Sequence, residues 1–202
     1  MAIVRTANTT GAKSNTTLGG NISLEHGANE FVAYTNNNTQ MSYKIDTQGI
    51  HFYNASGGEI SRYAPDGTYF YNSAGVVMCK ISASGTEYFN ISGNVICKIN
   101  GSGTTYYNSS GVKICDITSN GVTYYNSSLG KIASINTSGF QYFDTNAVQR
   151  ITIGADSGGK MQILLYDTDG TPRTLIGQNP SGGDQVVATS VVGHNVVTEL
   201  NS

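Results

Sequence analysis

One Gly-led unit of 18 residues recurs at least six times across residues 49–154. A fixed period of this length constrains the fold more than composition does, because each copy must take the same local structure and pack on its neighbours. The series runs GIHFYNASGGEISRYAPD from Gly49, GTYFYNSAGVVMCKISAS from Gly67, GTEYFNISGNVICKINGS from Gly85 and GTTYYNSSGVKICDITSN from Gly103. It continues as GVTYYNSSLGKIASINTS from Gly121 and GFQYFDTNAVQRITIG from Gly139. The consensus is G-x-x-[FY]-[FY]-[ND]-x-x-G-x-x-I-x-x-I. A degraded copy precedes it, with Tyr34, Asn36 and Ile45 in the Tyr, Asn and second Ile slots, and a displaced echo follows around Tyr166, Asp167, Gly170 and Ile176. Irregular end units suit an array whose terminal repeats must cap it or join it to something else.

Each unit parses as two strands and two turns. The first strand carries adjacent aromatics, such as Phe70 and Tyr71 or Tyr106 and Tyr107, and the second is apolar and branched, as in VVMCKI and VKICDI. Between them NSAG, NISG or NSSG fits a type I turn in which Asn bonds its own backbone. The leading glycines, Gly67, Gly85, Gly103 and Gly121, close the return turn, where positive φ is expected. No segment has the capped, 3.6-residue periodicity of a helix, so the chain is expected to be all-β. The organisation implied is an N-terminal cap or attachment segment at 1–30, a repeat shaft at 31–156 and a C-terminal β cap or attachment segment at 157–202.

Side chains alternate faces along a strand, so two neighbouring aromatics point to opposite sides and both faces carry apolar area. The expected repeat core is Tyr71, Phe89, Tyr107 and Tyr125 with Ile81, Ile99, Ile117 and Ile135. An isolated two-stranded ribbon is marginal in water, and burying one Tyr or Ile side chain is worth about 1.5–3 kcal/mol, so each unit needs a partner surface. Either one chain winds into a β-solenoid, or equivalent chains wrap a shared axis, each unit advancing by a good fraction of a strand length. Two-sided burial with little charge favours the second, an elongated, intertwined homo-oligomer of β-spiral or β-helix type.

Composition agrees with short strands and tight turns: 25 Gly, 13 Tyr, no Trp and 12% charged residues. A formal net charge of -2 gives no electrostatic footprint for nucleic acid or an anionic membrane. No apolar run approaches a membrane span, and the start MAIVRTANTT lacks a secretory h-region, so assembly in a cytoplasm is expected. The sequons at Asn90, Asn108 and Asn126 recur because the repeat recurs.

Repeats such as GTTYYNSSGVKICDI, with paired aromatics, a glycine turn and a β-branched strand, resemble the shaft repeats of bacteriophage tail fibres. They also resemble related trimeric viral fibres, including the triple β-spiral shafts of adenovirus and reovirus attachment proteins. The adenovirus-type repeat is shorter and often places Pro where this chain has Gly. The segment YDTDGTPRTLIGQNPSGG is similar to tail-associated structural proteins of phages. The resemblance covers about residues 31–180 and implies a homotrimeric virion component, assembled in the host cytoplasm, that spaces or presents a host-binding element. Its implied partners are further copies, other tail or baseplate proteins, and a host surface glycan or protein.

Residues that carry chemistry elsewhere have simpler explanations here. Cys79, Cys97 and Cys115 occupy one repeat slot that Ser61 and Ala133 fill in other units, so the slot selects small size, and one-repeat spacing is too long for a disulfide. His26, His51 and His194 have no metal-site or catalytic spacing and are expected at the surface or between subunits. Asp167, Asp169 and Gly170 resemble the start of a calcium loop but lack its further ligands, so they suit a turn. GADSGG and NPSGGD lack the Lys-Ser/Thr ending of a phosphate loop. No nucleophile–base–orienter set is present, and no enzyme activity, metal or cofactor is expected. A structural or adhesive phage-tail protein is therefore the leading expectation. A cell-wall or carbohydrate-binding hairpin module is second, and a fibre-borne glycan depolymerase, which would need paired acids in a groove, is third.

Overall fold

The computed structural model describes residues 4–7, 14–18, 22–26, 29–35, 40–178, 184–189 and 195–198, with side chains described for 29–35 and 40–177. Every regular element among these residues is a β-strand. The chain divides into two compact units, Met1–Asn100 and Gly101–Ser202, each an antiparallel meander in which every strand pairs with its neighbours in sequence. The division falls inside the repeat array.

In the first unit Val4–Ala7, Ser14–Leu18, Ile22–His26, Phe31–Thr35 and Gln40–Asp46 lead into three repeat hairpins. These are Gly49–Tyr53 with Glu59–Ala64, Gly67–Tyr71 with Val77–Ser82, and Gly85–Phe89 with Val95–Asn100. The second unit holds Gly103–Tyr107 with Lys113–Thr118, Gly121–Tyr125 with Lys131–Asn136, and Gly139–Phe143 with Gln149–Ala155. Met161–Tyr166, Pro172–Gln178, Asp184–Thr189 and Asn195–Thr198 complete it. Where described, the segments at 1–30 and 157–202 thus extend the same meander on either side of the repeats.

The second strand of one repeat bonds the first strand of the next, as Val77–Ser82 bonds Gly85–Phe89. Successive repeats within a unit therefore lie side by side, two strand spacings or ~9.6 Å apart. The expected advance by a good fraction of a strand length is corrected accordingly. The reason is the return turn: Ser82 pairs with Gly85, leaving two residues between strands, and so short a link permits only antiparallel adjacency.

Both turns form as the repeat dictates. In NSAG the Gly75 N–H donates to the Asn72 carbonyl at 3.0 Å and the Asn72 N–H to the Val76 carbonyl at 2.9 Å. The Asn72 side-chain oxygen accepts from Ala74 N at 2.9 Å and Val76 N at 3.0 Å, so one side chain satisfies two turn donors. Asn90, Asn108 and Asn126 do the same, which accounts for the recurring sequons by turn geometry. The leading glycine is needed for a different reason. Gly85 has φ +122, and a Cβ there would lie 2.1 Å from the Ile99 carbonyl oxygen. Gly67, Gly103 and Gly121 meet the carbonyls of Ile81, Ile117 and Ile135 in the same way.

Candidate functional site

The pairing register sorts each repeat into two unlike faces. On one, Phe70 sits opposite Cys79, Tyr88 lies between Cys79 and Cys97, and Thr68 and Thr86 both face Ile81. The second unit repeats this, with Tyr106–Cys115–Tyr124–Ala133–Tyr142 in one cross-strand row and Thr104–Ile117–Val122–Ile135–Phe140 in the next. The large residues stand out: Ile81 is 46% exposed, Ile135 51% and Tyr124 43%. The small residues between them are recessed; Cys79, Cys97 and Ala133 are half-buried and Cys115 is buried. Ile153, Met161, Gln162, Ile163 and Ile176 line a shallow, largely apolar depression farther along the second unit.

The opposite face is polar along its midline. In the first unit Lys44, His51, Arg62, Tyr69, Lys80, Glu87 and Lys98 follow one another across successive strands. These groups close on one another. The Lys44 ammonium lies 2.8 Å from Asp46, Lys80 3.0 Å from Asp66, and Lys98 3.0 Å from Glu87. Arg62 lies over the Tyr69 ring at 4.8 Å and Tyr71 at 6.0 Å, and its buried Nε has no hydrogen-bond partner. In the second unit Lys113 covers the Tyr125 ring at 4.3 Å and pairs with Asp116 at 2.7 Å, while the Tyr125 hydroxyl donates to Asp116 at 3.1 Å. Burial pushes the Asp116 carboxyl up, but hydrogen bonds from Lys113, Thr105 and Tyr125 outweigh it and leave the group below the ordinary carboxylate value.

The eight expected core residues therefore divide. Tyr71, Phe89, Tyr107 and Tyr125 are half-buried on the polar face, where cations lie over Tyr71 and Tyr125. Ile81, Ile99, Ile117 and Ile135 project from the apolar face, each more than 40% exposed. The expectation that both faces need covering is revised in part: long cationic side chains and their carboxylate partners cover rings along the midline of one face, where Ile60, Ile96 and Ile114 at the hairpin bulges stay 37–44% exposed, while the other face has no such cover.

His51 departs from the expected surface or intersubunit position. It is 5% exposed, with Nδ1 3.0 Å from Glu59 Oε1 and Nε2 3.1 Å from Asp46 Oδ1. Carboxylate oxygens only accept, so both contacts are donations only when the ring carries both protons. Lys44, the Gln48 N–H and His51 together hold the Asp46 carboxyl well below the usual carboxylate range. This clamp ties the strand ending at Asp46 to the hairpin that follows. His26 lies in a strand whose side chains are outside the described residues, and His194 lies outside them altogether.

Cys79, Cys97 and Cys115 are free thiols. Cys79 and Cys97 flank Tyr88, which sets their strands two spacings or ~9.6 Å apart, beyond the roughly 7 Å Cα limit for a bridge. Burial pushes all three thiols above their ordinary pKa, as suits packing residues more than nucleophiles. Asp167, Asp169 and Gly170 form a turn: the Gly170 N–H donates to the Asp167 carbonyl, Asp169 accepts from Thr171 N at 2.8 Å, and Asp167 pairs with Arg173 at 2.9 Å. GADSGG is a turn of the same kind, with Asp156 Oδ1 accepting from Gly158 and Lys160. NPSGGD lies mostly outside the described residues.

The periodic consensus left the third and fourteenth slots unassigned, and these carry the polar midline. The hairpin register needed to see it was already implied by the four-residue Asn turn. The sequence matches no protein-family model, and no curated protein matches it at a significant level.

Proposed function

We propose that this chain is a structural or adhesive component of a phage tail, a fibre, spike or fibre segment, that works as a homo-oligomer and spaces or presents a host-binding element. The observation carrying this is the asymmetry of the two faces: lysines on one pair with carboxylates and lie over rings within the chain, whereas the other repeats exposed Ile, Phe and Tyr from hairpin to hairpin. Contiguous apolar area of this extent marks an interaction surface, and a repeating one suits a repeating assembly. The fibre resemblance makes three the expected number of chains. Sedimentation equilibrium on the full chain is expected to give a mass near three copies, and gold-labelled antibody against the repeats is expected to decorate a tail appendage in electron micrographs. A single-copy mass, or label absent from tails, would refute this function.

Carbohydrate binding has one observation in its favour. Tyr106, Tyr124 and Tyr142 form an exposed row, one ring every second strand or ~9.6 Å, which would set rings under alternate sugars of an extended polysaccharide. Polysaccharide retention by the full chain, abolished in Tyr124→Ala, would support it.

A further inference from the structure

The bare face is patterned as well as apolar. Along Gly67–Tyr71 the outward pair is small then large, Thr68 and Phe70; on Val77–Ser82 the facing pair is reversed, with Cys79 opposite Phe70 and Ile81 opposite Thr68. Thr86 and Tyr88 reverse it again, and Cys97 and Ile99 once more. The second unit opens in the same way with Thr104 and Tyr106 against Ile117 and Cys115. From Glu59–Ala64 to Val95–Asn100, and again from Gly103–Tyr107 to Lys131–Asn136, large and small residues thus alternate along the strand and across it, forming a checkerboard of knobs and hollows, while Ile45, Ile50 and Phe140 continue the face as unbroken apolar rows. Shifted by one strand spacing, ~4.8 Å, such a pattern becomes its own complement.

We propose that the checkerboard face is where copies of this chain pack on one another, the knobs of one copy seated over the hollows at Cys79, Cys97, Cys115 and Ala133 of the next. The proposal rests on the homo-oligomeric function above and names the surface that builds it. A second copy is the occupant because it alone carries the complementary pattern by necessity. Area points the same way. On this face of the first unit eight large residues between Ile45 and Ile99 are 36–52% exposed, Ile60, Ile91 and Ile96 lying off it. At 150–250 Å² per large side chain they present roughly 600 Å² of surface, near the ~800 Å² per partner of a stable interface. Interdigitation would bring it to protein-interior density. It also explains the free thiols: a hollow needs a small apolar side chain, and Cys, Ala and Ser share that property.

The test uses the full chain and two readouts. Ala133→Phe fills a hollow and is expected to raise the dissociation constant of the assembly at least tenfold by sedimentation. Thr123→Phe, on the polar face one strand away, is expected to change it less than twofold. The unsubstituted protein gives an independent measure: alkylation of Cys79 and Cys97, mapped by mass spectrometry, is expected to be at least tenfold slower in the assembly than in copies separated by dilution. That measurement stands even where Ala133→Phe does not fold. An assembly that forms while Cys79 and Cys97 react at the separated-copy rate, or that Thr123→Phe dissociates and Ala133→Phe does not, overturns the checkerboard contact and leaves the oligomeric function standing. A chain that remains a single copy overturns both.

Discussion

The two faces of the repeat carry comparable numbers of large side chains and solve their exposure in opposite ways. On the polar face charges pair within the chain and cations lie over rings of neighbouring strands, as Lys113 lies over Tyr125 of the next strand and beside Asp116 of its own. On the apolar face Ile81 has only Thr68 and Thr86 across from it, neither large enough to cover it. The difference comes from side-chain reach. Lys and Arg extend far enough to lie flat over a neighbouring ring while keeping the charged head wet, whereas Ile is short and rigid and can be buried only by something placed above it. One face is thus a property of the single chain, and the other becomes a core only with a second surface.

The sharpest way to break this contrast is to change the charge of each face in turn. Ile81→Asp should weaken self-association at least about 100-fold, ~3 kcal/mol, because the carboxylate would be desolvated without a partner. Lys98→Gln removes the 3.0 Å pair with Glu87, which is partly solvated and worth less than about 1 kcal/mol, and should leave association unchanged. Sedimentation of both variants measures the comparison directly; equal effects would erase the distinction between the faces.

Both faces depend on one backbone register, which the leading glycines hold. Gly85→Ala forces a Cβ against the Ile99 carbonyl in a backbone conformation that L-residues avoid, at a cost of about 3 kcal/mol in chemical denaturation. This loss should appear in the separated chain as well as in the assembly, because it precedes the assignment of faces. Gly75, in the other turn, has open space where its Cβ would be, so the two glycine slots are conserved in the pattern for different physical reasons.

The polar face can be tested through His51. Removing the ring in His51→Ala takes away the imidazole held between Asp46 and Glu59, and a loss of about 2 kcal/mol is expected in the same measurement, with association preserved. Acid should act here too. Asp46 holds its proton less readily in the folded chain than in the unfolded one. Its contribution is therefore complete above the ordinary Asp value of about 4 and is lost as pH falls through the lower folded value. Asp46→Asn should flatten that part of the acid-denaturation curve.

Much of this architecture was legible in the sequence. The doubled aromatics fixed two opposed faces, Asn-x-x-Gly fixed one turn, and the slot shared by Ser61, Cys79, Cys97, Cys115 and Ala133 identified itself as a requirement for small size. What a consensus could not show is cross-strand identity. Tyr69 and Lys80 are eleven residues apart and meet only once the hairpin register is set, so the polar midline looked like unassigned variation. His51 was obscure for the same reason, since its two carboxylates lie five residues before it and eight after, on separate strands.

The smallest expected effect lies in a turn that belongs to neither face. Leu129 takes φ 63 in the slot that Gly75, Gly93 and Gly111 fill elsewhere, and it is 56% exposed. Left-handed backbone costs an L-residue about 1–2 kcal/mol, while glycine forfeits part of that through the greater freedom of its unfolded chain. Leu129→Gly should therefore stabilise by only about 0.5 kcal/mol, read as a small rise in denaturation midpoint with self-association unchanged. A fall instead, accompanied by weaker association, would mean that the exposed leucine is itself part of the contact between copies, and that the interaction surface extends past the checkerboard to the edge of the sheet.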